Sequence, residues 1–409
     1  MTFRNESFIP LISCQAFDCF AVTCSFFFFG FSCEELKKQA IHGNFLNETE
    51  CSQKCRYAEK IFIYRVMSLY EKRQDVREYF CINKNGCDCF RIKLVQSTPD
   101  NLTFTTVTRL HSTYSAWNSL IKNSEKELIL VAYKTSLRGE HVLNDDYCQW
   151  HSNQGSKIYD ALVEAGLKRK IRIRMIENYP PKDKGDNEDG INLAKAGSKA
   201  SPRSLNDLDR NWDLFSILNA VEKAKKFLYV EVMDYFPMFI YNLRRRYWPV
   251  VDNAIRRAIL RGVEVKILTA AIHFSEYSLR FLSSLETLNR INDSSIEVRI
   301  LKVPTDVNMQ NIMKREQRMH TKFLVTDTVA VIGTSNWSGD YFDGGTMGAA
   351  FVLNQTKVSL EKRHFIRNLI YIFLSHWSSN YTHDVLDYER ECLQTTTEIT
   401  VRQKKILHF

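Results

Sequence analysis

The feature that most constrains the fold is an internal repeat in the middle of the chain. Residues 160–176 align without a gap with residues 252–268, and both copies read as an amphipathic helix, a basic turn and an alternating strand. Upstream of each copy, residues 117–133 and 212–232 share the order of a helix, a charged turn and a buried strand. Helices that alternate with strands in this way predict an α/β fold, with a layered sheet flanked by helices.

The second half of the repeat continues further than the first. Residues 295–303 predict another strand, residues 340–353 predict a glycine-rich bend and a strand, and residues 360–375 predict a closing helix. The first half instead runs into residues 177–212, which are rich in Pro, Lys, Asp, Gly and Ser and which we interpret as a solvated linker. We therefore expect a bilobal protein whose first lobe is truncated.

A short motif in the second half indicates a chemistry. His320, Lys322 and Asp327 follow the pattern H-x-K-x4-D. Residues two apart in a strand project from the same face, so this histidine and this lysine can act together. A histidine nitrogen can attack phosphorus to form a covalent phosphohistidine, while a lysine stabilises the oxygens that gain charge. We predict catalytic roles for these three residues, with no metal or other cofactor, because histidine and lysine take the role that a cation has elsewhere.

The loop that follows the motif is predicted to bind the phosphate. Gly333 lets the backbone approach the substrate closely, and Thr334, Ser335 and Asn336 offer short hydrogen-bond donors. A lone H-x-K pair is common and usually carries no meaning, whereas the full pattern followed by G-T-S-N is far rarer. We therefore assign these four loop residues to substrate binding.

The composition is compatible with a globular protein that binds polyanions. Hydrophobic residues make up 44% of the chain, which is ordinary for a protein with a core. The formal net charge of +9 suits nucleic acid or acidic lipid headgroups, although a solvated basic surface with no partner explains it equally well. Five aromatic residues in the second half of the chain are candidates for stacking on bases, although packing is the commoner role of such residues. They are Tyr229, Tyr235, Phe236, Tyr241 and Trp248.

The N-terminal residues 8–32 are strongly apolar and are interrupted by Asp18. The cleaner run, residues 19–32, is long for a signal-peptide core and short for a spanning helix, whereas residues 8–32 are long enough to span if Asp18 is tolerated. Residues 1–33 are therefore predicted to be a signal peptide or a signal anchor. Either would send the rest of the chain into the secretory lumen. We expect the lumenal face of a secretory-pathway membrane, or secretion if the segment is cleaved.

Cysteines and glycosylation sequons agree with lumenal exposure. Residues 34–105 contain clustered cysteines, which we interpret as a disulfide-stapled module, with a zinc site as the less favoured alternative. The cluster consists of Cys51, Cys55, Cys81, Cys87 and Cys89. Their odd number leaves one to pair with Cys148 or Cys392, or to stay free. The predicted glycosylation sites are Asn47, Asn101, Asn292, Asn354 and Asn380.

From residue 110 to residue 392 the chain resembles the lumenal branch of the phospholipase D superfamily, the group of phospholipase D type 3 and type 4. The matching strings are residues 232–237, 247–249, 261–263 and 320–339. The resemblance implies a lumenal glycoprotein of the endoplasmic reticulum and lysosome that hydrolyses phosphodiester bonds. Its implied substrates are phospholipid or single-stranded nucleic acid, the latter cleaved from 5′ to 3′. It also implies catalytic positions for His320, Lys322 and Asp327.

The chain departs from that pattern because it carries one H-x-K motif, at His320, among its ten histidines. In the relatives two motifs meet, so that one histidine attacks phosphorus and the other protonates the leaving oxygen. The stretch that should carry the first motif is missing between about residues 178 and 204. The second histidine must then come from another copy of the chain in a homodimer, from a missing segment, or from nowhere. The last case would leave a pseudoenzyme that acts as a binding protein.

Together these observations predict six segments. They are an N-terminal anchor or signal peptide (1–33), a cysteine-rich lumenal segment (34–105), a truncated first lobe (106–177), a linker (178–211), a second lobe with the catalytic motif (212–393) and a tail (394–409).

Overall fold

A computed structural model of the protein describes residues 11–14, 23–30, 78–81, 89–98, 102–104, 111–133, 135–141, 153–177, 187–195, 213–241, 245–271, 275–304, 318–344, 346, 348–356 and 363–392. The chain divides into two compact units, built mainly from His111–Arg203 and from Ser204–Phe409. The boundary between the two units therefore lies inside the predicted linker.

The first part of the chain contains two small sheets. Its elements are β1 (Leu11–Cys14), β2 (Thr23–Gly30), β3 (Glu78–Cys81), β4 (Cys89–Ser97), β5 (His111–Ser112), α1 (Thr113–Asn123), β6 (Glu127–Ala132), α2 (Asn153–Leu167), β7 (Arg172–Ile176) and α3 (Glu188–Lys195). Strands β1, β6 and β7 form a parallel sheet, and β2, β4 and β3 form another with β5 beside β4. Trp117 of α1, Leu128 of β6 and Leu162 of α2 lie in one buried cluster, so the predicted helix–strand–helix–strand order is confirmed in this unit.

The second unit contains a seven-stranded sheet in the order β15-β14-β13-β8-β11-β12-β16. Its elements are α4 (Asp213–Lys223), β8 (Phe227–Val232), β9 (Met238–Phe239), β10 (Arg246–Tyr247), α5 (Val250–Leu260), β11 (Glu264–Ala270), α6 (Ser275–Glu286), β12 (Ser295–Leu301), β13 (Lys322–Thr326), β14 (Val329–Gly333), α7 (Gly339–Phe342), β15 (Ala350–Asn354), α8 (His364–Trp377) and β16 (Thr382–Asp384). Strands β8, β11 and β12 are parallel, and the other strands of this sheet pair antiparallel. The predicted α/β class, a layered sheet flanked by helices, is confirmed.

The central strand β8 is buried on both faces. On one face, Val230 packs in a cluster with residues of α4 and α5. On the other face lies α8, whose Phe373 ring stacks on Tyr229 with centroids 5.0 Å apart. Glu231 also points to this face and is fully buried, and both of its carboxylate oxygens lie within 3.0 Å of Nδ1 of His376. The pair satisfies a carboxylate that would otherwise be costly to bury.

The internal repeat is preserved down to single backbone angles. The helix-to-strand turns contain Lys170 in the first copy and Gly262 in the second, which are aligned positions in the ungapped repeat. Both residues adopt the left-handed conformation, with φ values of 60° and 80°. After each turn a strand begins with a backbone hydrogen bond of 3.0 Å, from Arg172 N to Lys126 O and from Glu264 N to Lys226 O. The sequence repeat is therefore a repeated structural unit.

The predicted linker contains a helix that the sequence analysis did not anticipate. Helix α3 lies within residues 178–211, and its Asp189 is fully buried. The Asp189 carboxylate accepts hydrogen bonds from the backbone N–H groups of Leu137 and Arg138, at 2.6 and 2.9 Å, and from Nε of Arg138 at 2.7 Å. This part of the segment is therefore attached to the first unit, because a buried carboxylate with three donors holds it there.

Several predictions for the N-terminal part stay predictions. No helix among the described residues is long and apolar enough to cross a membrane, and residues 1–33 contribute the strands β1 and β2. Cys81 and Cys89 are Cα partners across β3 and β4. The sequons at Asn354 and Asn380 are exposed. The remaining clustered cysteines, Asn47, Asn101 and the tail lie outside the described residues.

Candidate active site

The H-x-K motif lies at the start of β13, near the middle of the seven-stranded sheet. Strand β13 begins at Lys322, and His320 precedes it, so the prediction that both residues lie within the strand is wrong by two residues. His320 is half-buried, and only 5% of Lys322 is exposed. Nζ of Lys322 donates a hydrogen bond to the carbonyl oxygen of His320 at 2.9 Å. The Lys322 side chain therefore contacts the backbone of His320 at one end of the strand, and the expected joint action of the two side chains stays a prediction.

Lys322 is a buried amine whose positive charge depends on one acidic neighbour. Burial lowers the pKa of Lys322 to about 7, while the Asp234 carboxylate acts in the opposite direction. Conversely, burial raises the pKa of Asp234, against the attraction of Lys322 and Arg318. Desolvation thus pushes both groups toward neutrality, and each charge favours the other. An incoming phosphate would add negative charge and favour the protonated lysine further.

Asp234 also orients Asn336. One carboxylate oxygen of Asp234 accepts a hydrogen bond from Nδ2 of Asn336 at 2.8 Å, and the same amide nitrogen donates to Oη of Tyr341 at 3.1 Å. The backbone N–H of Trp337 donates to the carbonyl oxygen of Asp234 at 2.9 Å. The other side-chain oxygens of Asp234 and Asn336 are buried and have no donor among the described residues.

The other loop residues hold the loop in place. Oγ of Ser335 donates to the Asp213 carboxylate, at the start of α4, at 3.1 Å. Oγ1 of Thr334 accepts from the backbone N–H of Ala349 at 2.8 Å. A Cβ atom at Gly333 would make only ordinary contacts, 3.5 Å and longer, so its neighbours in the protein do not require a glycine there. The predicted substrate-binding roles of Gly333, Thr334 and Ser335 stay predictions, since the two hydroxyls already have protein partners.

Asp327 does not lie with His320 and Lys322. It follows the last residue of β13, five positions beyond Lys322, which is about 16 Å along an extended strand. Its carboxylate accepts hydrogen bonds from the backbone N–H groups of Lys225 and Lys226, at 3.0 and 3.3 Å, in the turn before β8. The predicted catalytic role of Asp327 stays a prediction, and its observed contacts fix the α4–β8 turn.

Most of the aromatic residues proposed to stack on bases belong to the core. Tyr235, Phe236 and Trp248 are buried. The ring of Tyr229 stacks on Phe373 of α8, and its hydroxyl donates a hydrogen bond to Glu264. Tyr241 is the exception, since 56% of it is exposed. Its ring meets that of Tyr341 edge-on, with centroids 6.3 Å apart.

Sequence analysis missed the residues that support the motif, chiefly Asp234, Tyr341 and Asp213. The available signal was a carboxylate at the end of an apolar strand, in the string Val232-Met233-Asp234, because such a group is costly to bury without a function or a partner. No group of three or more His, Cys, Asp or Glu side chains placed to hold a metal ion occurs within the described parts of the chain.

Comparisons with known proteins show which proteins the chain is similar to. Residues 190–306 match the family model described as PLD3/4, PLD-like domain, a match that ends before the H-x-K motif. The chain is 41% identical over 186 residues to the 5′-3′ exonuclease PLD3 of Xenopus laevis, covering 45% of this chain and 37% of that protein. It is 38% identical over 277 residues to the 5′-3′ exonuclease PLD3 of Homo sapiens, covering 66% of this chain and 52% of that protein.

Among solved structures, the phospholipase D family member Nuc from Salmonella typhimurium is similar, with 16% identity and a TM-score of 0.29 over 41% of this chain and 87% of that chain. That structural likeness is too weak to support a conclusion. The sequence matches show that the chain is a member of the phospholipase D superfamily. Within it, the chain belongs to the branch of PLD3 and PLD4, although it spans only about half or less of the length of those relatives.

We predict that Asp327→Ala destabilises the fold. The substitution removes an acceptor from two backbone N–H groups, so the free energy of unfolding should fall by about 1–3 kcal/mol. Urea denaturation followed by circular dichroism measures this change. The control is Asp387→Ala, which removes an exposed ion pair with Arg390 and should change stability by less than about 1 kcal/mol. Unchanged stability in Asp327→Ala would contradict the anchoring role.

We also predict that Asp234→Asn lowers the pKa of Lys322 below its value in the unmodified protein. The carboxylate raises that pKa by attraction, and a neutral amide leaves the effect of burial unopposed. The midpoint is read from the Cε chemical shift of Lys322 by NMR across a pH titration. Asp340→Asn is the matched control, since Asp340 is a buried aspartate of the neighbouring loop that binds the N–H groups of Ile240 and Tyr241 instead. If the titration midpoint of Lys322 were equal in the unmodified protein, in Asp234→Asn and in Asp340→Asn, the electrostatic coupling of Lys322 to Asp234 would be disproved.

Proposed function

We propose that this protein is a phosphodiesterase whose nucleophile is His320. The observation that carries the proposal is the junction at the start of β13, where buried Lys322 binds the backbone of His320 beside the Asp234–Asn336 pair. Burial lowers the pKa of Lys322 to about 7, and a bound phosphate would favour its protonated form. A nucleophile beside such a cation in a largely dehydrated site is the combination that phosphoryl transfer needs.

The reaction has two steps. A ring nitrogen of His320 attacks phosphorus, the bond from phosphorus to the leaving oxygen breaks, and a phosphohistidine forms while the leaving oxygen takes a proton from an acid. Water then attacks the phosphohistidine, gives a proton to the base that remains, and releases the phosphate product with a free histidine. Protonated Lys322 stabilises the negative charge on the non-bridging oxygens in both transition states, and the Asp234 carboxylate and the phosphate both favour that protonated form.

The acid of the first step is proposed to be His320 of a second copy of the chain. The sequence supplies one H-x-K motif, and a two-fold axis would set two such motifs face to face. A site built this way needs both copies, because one histidine serves as nucleophile and the other as acid and base. The alternative is a catalytically impaired protein that binds the same ligands, and the single motif is the observation that favours it.

The proposed substrate is single-stranded nucleic acid, with phospholipid as the second candidate. Two observations support nucleic acid, namely the activity named for the PLD3 relatives and the net charge of +9. The apolar N-terminal segment and the sequons motivate the further proposal of a lumenal, glycosylated and membrane-associated protein. Oligonucleotide binding that weakens steeply with salt would support a nucleic-acid substrate.

We predict that His320→Ala inactivates the protein and suppresses its unmodified partner. The substitution alone should lower the hydrolysis of a single-stranded oligonucleotide by more than roughly 10²–10⁴-fold, because it removes the nucleophile and the acid together. When the variant is co-expressed with an equal amount of unmodified chain, about a quarter of the dimers keep both histidines, so activity per total chain should fall to about a quarter.

The control for this experiment is His383→Ala, which removes an imidazole from β16 at the far edge of the same sheet and should leave activity unchanged. Light scattering establishes the mass of each sample. A monomer whose activity follows the unmodified fraction linearly would contradict the two-chain site. A stable dimer that binds the oligonucleotide but does not cleave it would favour the binding-protein alternative.

A further inference from the structure

The hairpin formed by β9 and β10 carries exposed aromatic and basic side chains close to the candidate site. The two strands pair antiparallel, with Arg246 opposite Phe239 and Tyr247 opposite Met238. We name the exposed residues Tyr241, Arg245, Arg246 and Tyr247 the aromatic–basic ridge. More than half of each tyrosine is exposed, 56% for Tyr241 and 59% for Tyr247, and both arginines are exposed.

The ridge is held by the segment that directly follows the catalytic loop. Asp340 of α7 is buried, and its carboxylate accepts hydrogen bonds from the backbone N–H groups of Ile240 at 2.7 Å and Tyr241 at 3.2 Å. A Cβ atom at Gly339 would lie 2.7 Å from the ring of Phe239, so a glycine is needed where α7 meets the hairpin. Anchored from α7, the ridge keeps a fixed position relative to the loop that contains Asn336.

A second anchor lies at the far end of the hairpin. The indole N–H of Trp248 donates to the Asp343 carboxylate at 2.5 Å, and its ring stacks on Phe342 with centroids 5.6 Å apart and 14° between the planes. Tyr247 itself lies nearly parallel to Phe281 of α6, with 14° between the rings and 6.2 Å between centroids. Exposed rings that are fixed in this way are preorganised for stacking, because little side-chain entropy is lost on binding.

The ridge begins one ring away from the candidate site. Nδ2 of Asn336 donates to Oη of Tyr341 at 3.1 Å, and the Tyr341 ring meets that of Tyr241 edge-on at 6.3 Å. Beyond Tyr241 the ridge adds the two guanidinium groups, and that of Arg246 lies 3.9 Å from the centroid of the Phe239 ring. Aromatic and cationic groups therefore lead away from the residues that would bind the reacting phosphate.

We infer that the aromatic–basic ridge binds the part of a single-stranded nucleic acid that extends beyond the reacting phosphate. Guanidinium groups pair with phosphate oxygens, and exposed aromatic rings stack on bases of any sequence. The inference rests on the proposed function, since it assigns the ridge to the substrate of that same site.

Binding is tested in the His320→Ala background, so that the result does not depend on turnover. The probe is a short fluorescein-labelled oligothymidylate, followed by fluorescence anisotropy. Tyr241→Ala and Tyr247→Ala should each weaken binding of the oligothymidylate about tenfold. Neither substitution should change the affinity for an abasic strand of the same length, because that strand has no bases to stack. Arg245→Gln and Arg246→Gln should weaken the binding of both the normal and the abasic strand. Each should also reduce the magnitude of the slope of log K against log salt by about 0.7.

Matched controls come from the same unit. Tyr371→Ala removes a half-exposed tyrosine from α8, and Arg390→Gln removes an exposed arginine from the helical residues 385–392, so both should leave binding unchanged. Unfolding midpoints equal to that of the parent establish that each ridge variant is folded. Ridge variants that bind the oligonucleotide as tightly as the controls would overturn the inference.

Vesicles of phosphatidylcholine and phosphatidylserine serve as the competing ligand. If the ridge variants lose vesicle binding and keep oligonucleotide binding, the ridge is a lipid-headgroup surface and the inference is wrong. If the unmodified protein cleaves no oligonucleotide in the activity assay but the ridge variants still lose binding, the proposed catalysis fails while the inference about the ridge stands.

Discussion

The antiparallel pairing of β13 with β8 is the contact on which the candidate site depends. The register runs from Lys322 opposite Val232 to Thr326 opposite Leu228, and the N–H of Met233 extends it by a bond to the carbonyl oxygen of Thr321. This register sets Lys322 beside Asp234 at one end and Asp327 on the α4–β8 turn at the other. A slip of one residue would turn Lys322 toward α8, since neighbouring side chains of a strand point to opposite faces.

The burial of these paired strands also explains the shifted pKa values of Lys322 and Asp234. Strand β8 lies between β13 and β11 with helices on both sides, so its end is poorly solvated and Asp234 is buried with Lys322. Buried groups of opposite charge stabilise each other only when their remaining hydrogen bonds are made. Asn336 supplies one such bond to Asp234, and the carbonyl of His320 supplies one to Lys322. The motif and its support thus form one hydrogen-bonded and electrostatic network around the buried lysine.

Much of the fold could be predicted from local pattern, and much of the site could not. The helices and strands of the repeat follow from hydrophobic periodicity within about a dozen residues, and the joint position of His320 and Lys322 follows from their spacing. The role of Asp327 could not be predicted in this way, because it depends on a turn 102 residues away in sequence. Asp234 was missed for the same reason, since its bond to Asn336 also spans 102 residues. Helix α3 was not predicted because it lies in a charged, proline-rich segment, where nothing in the local sequence distinguishes the buried Asp189 from a solvated aspartate.

The claim that His320 is the nucleophile is tested most directly by trapping the covalent intermediate. The protein is mixed with a phosphodiester substrate, quenched within milliseconds, digested under alkaline conditions that preserve phosphohistidine, and mapped by mass spectrometry. The account predicts a substrate-derived phosphoryl group on the peptide that contains His320 and none in His320→Ala. Rapid hydrolysis without an adduct at His320, or an adduct on another residue, would contradict it.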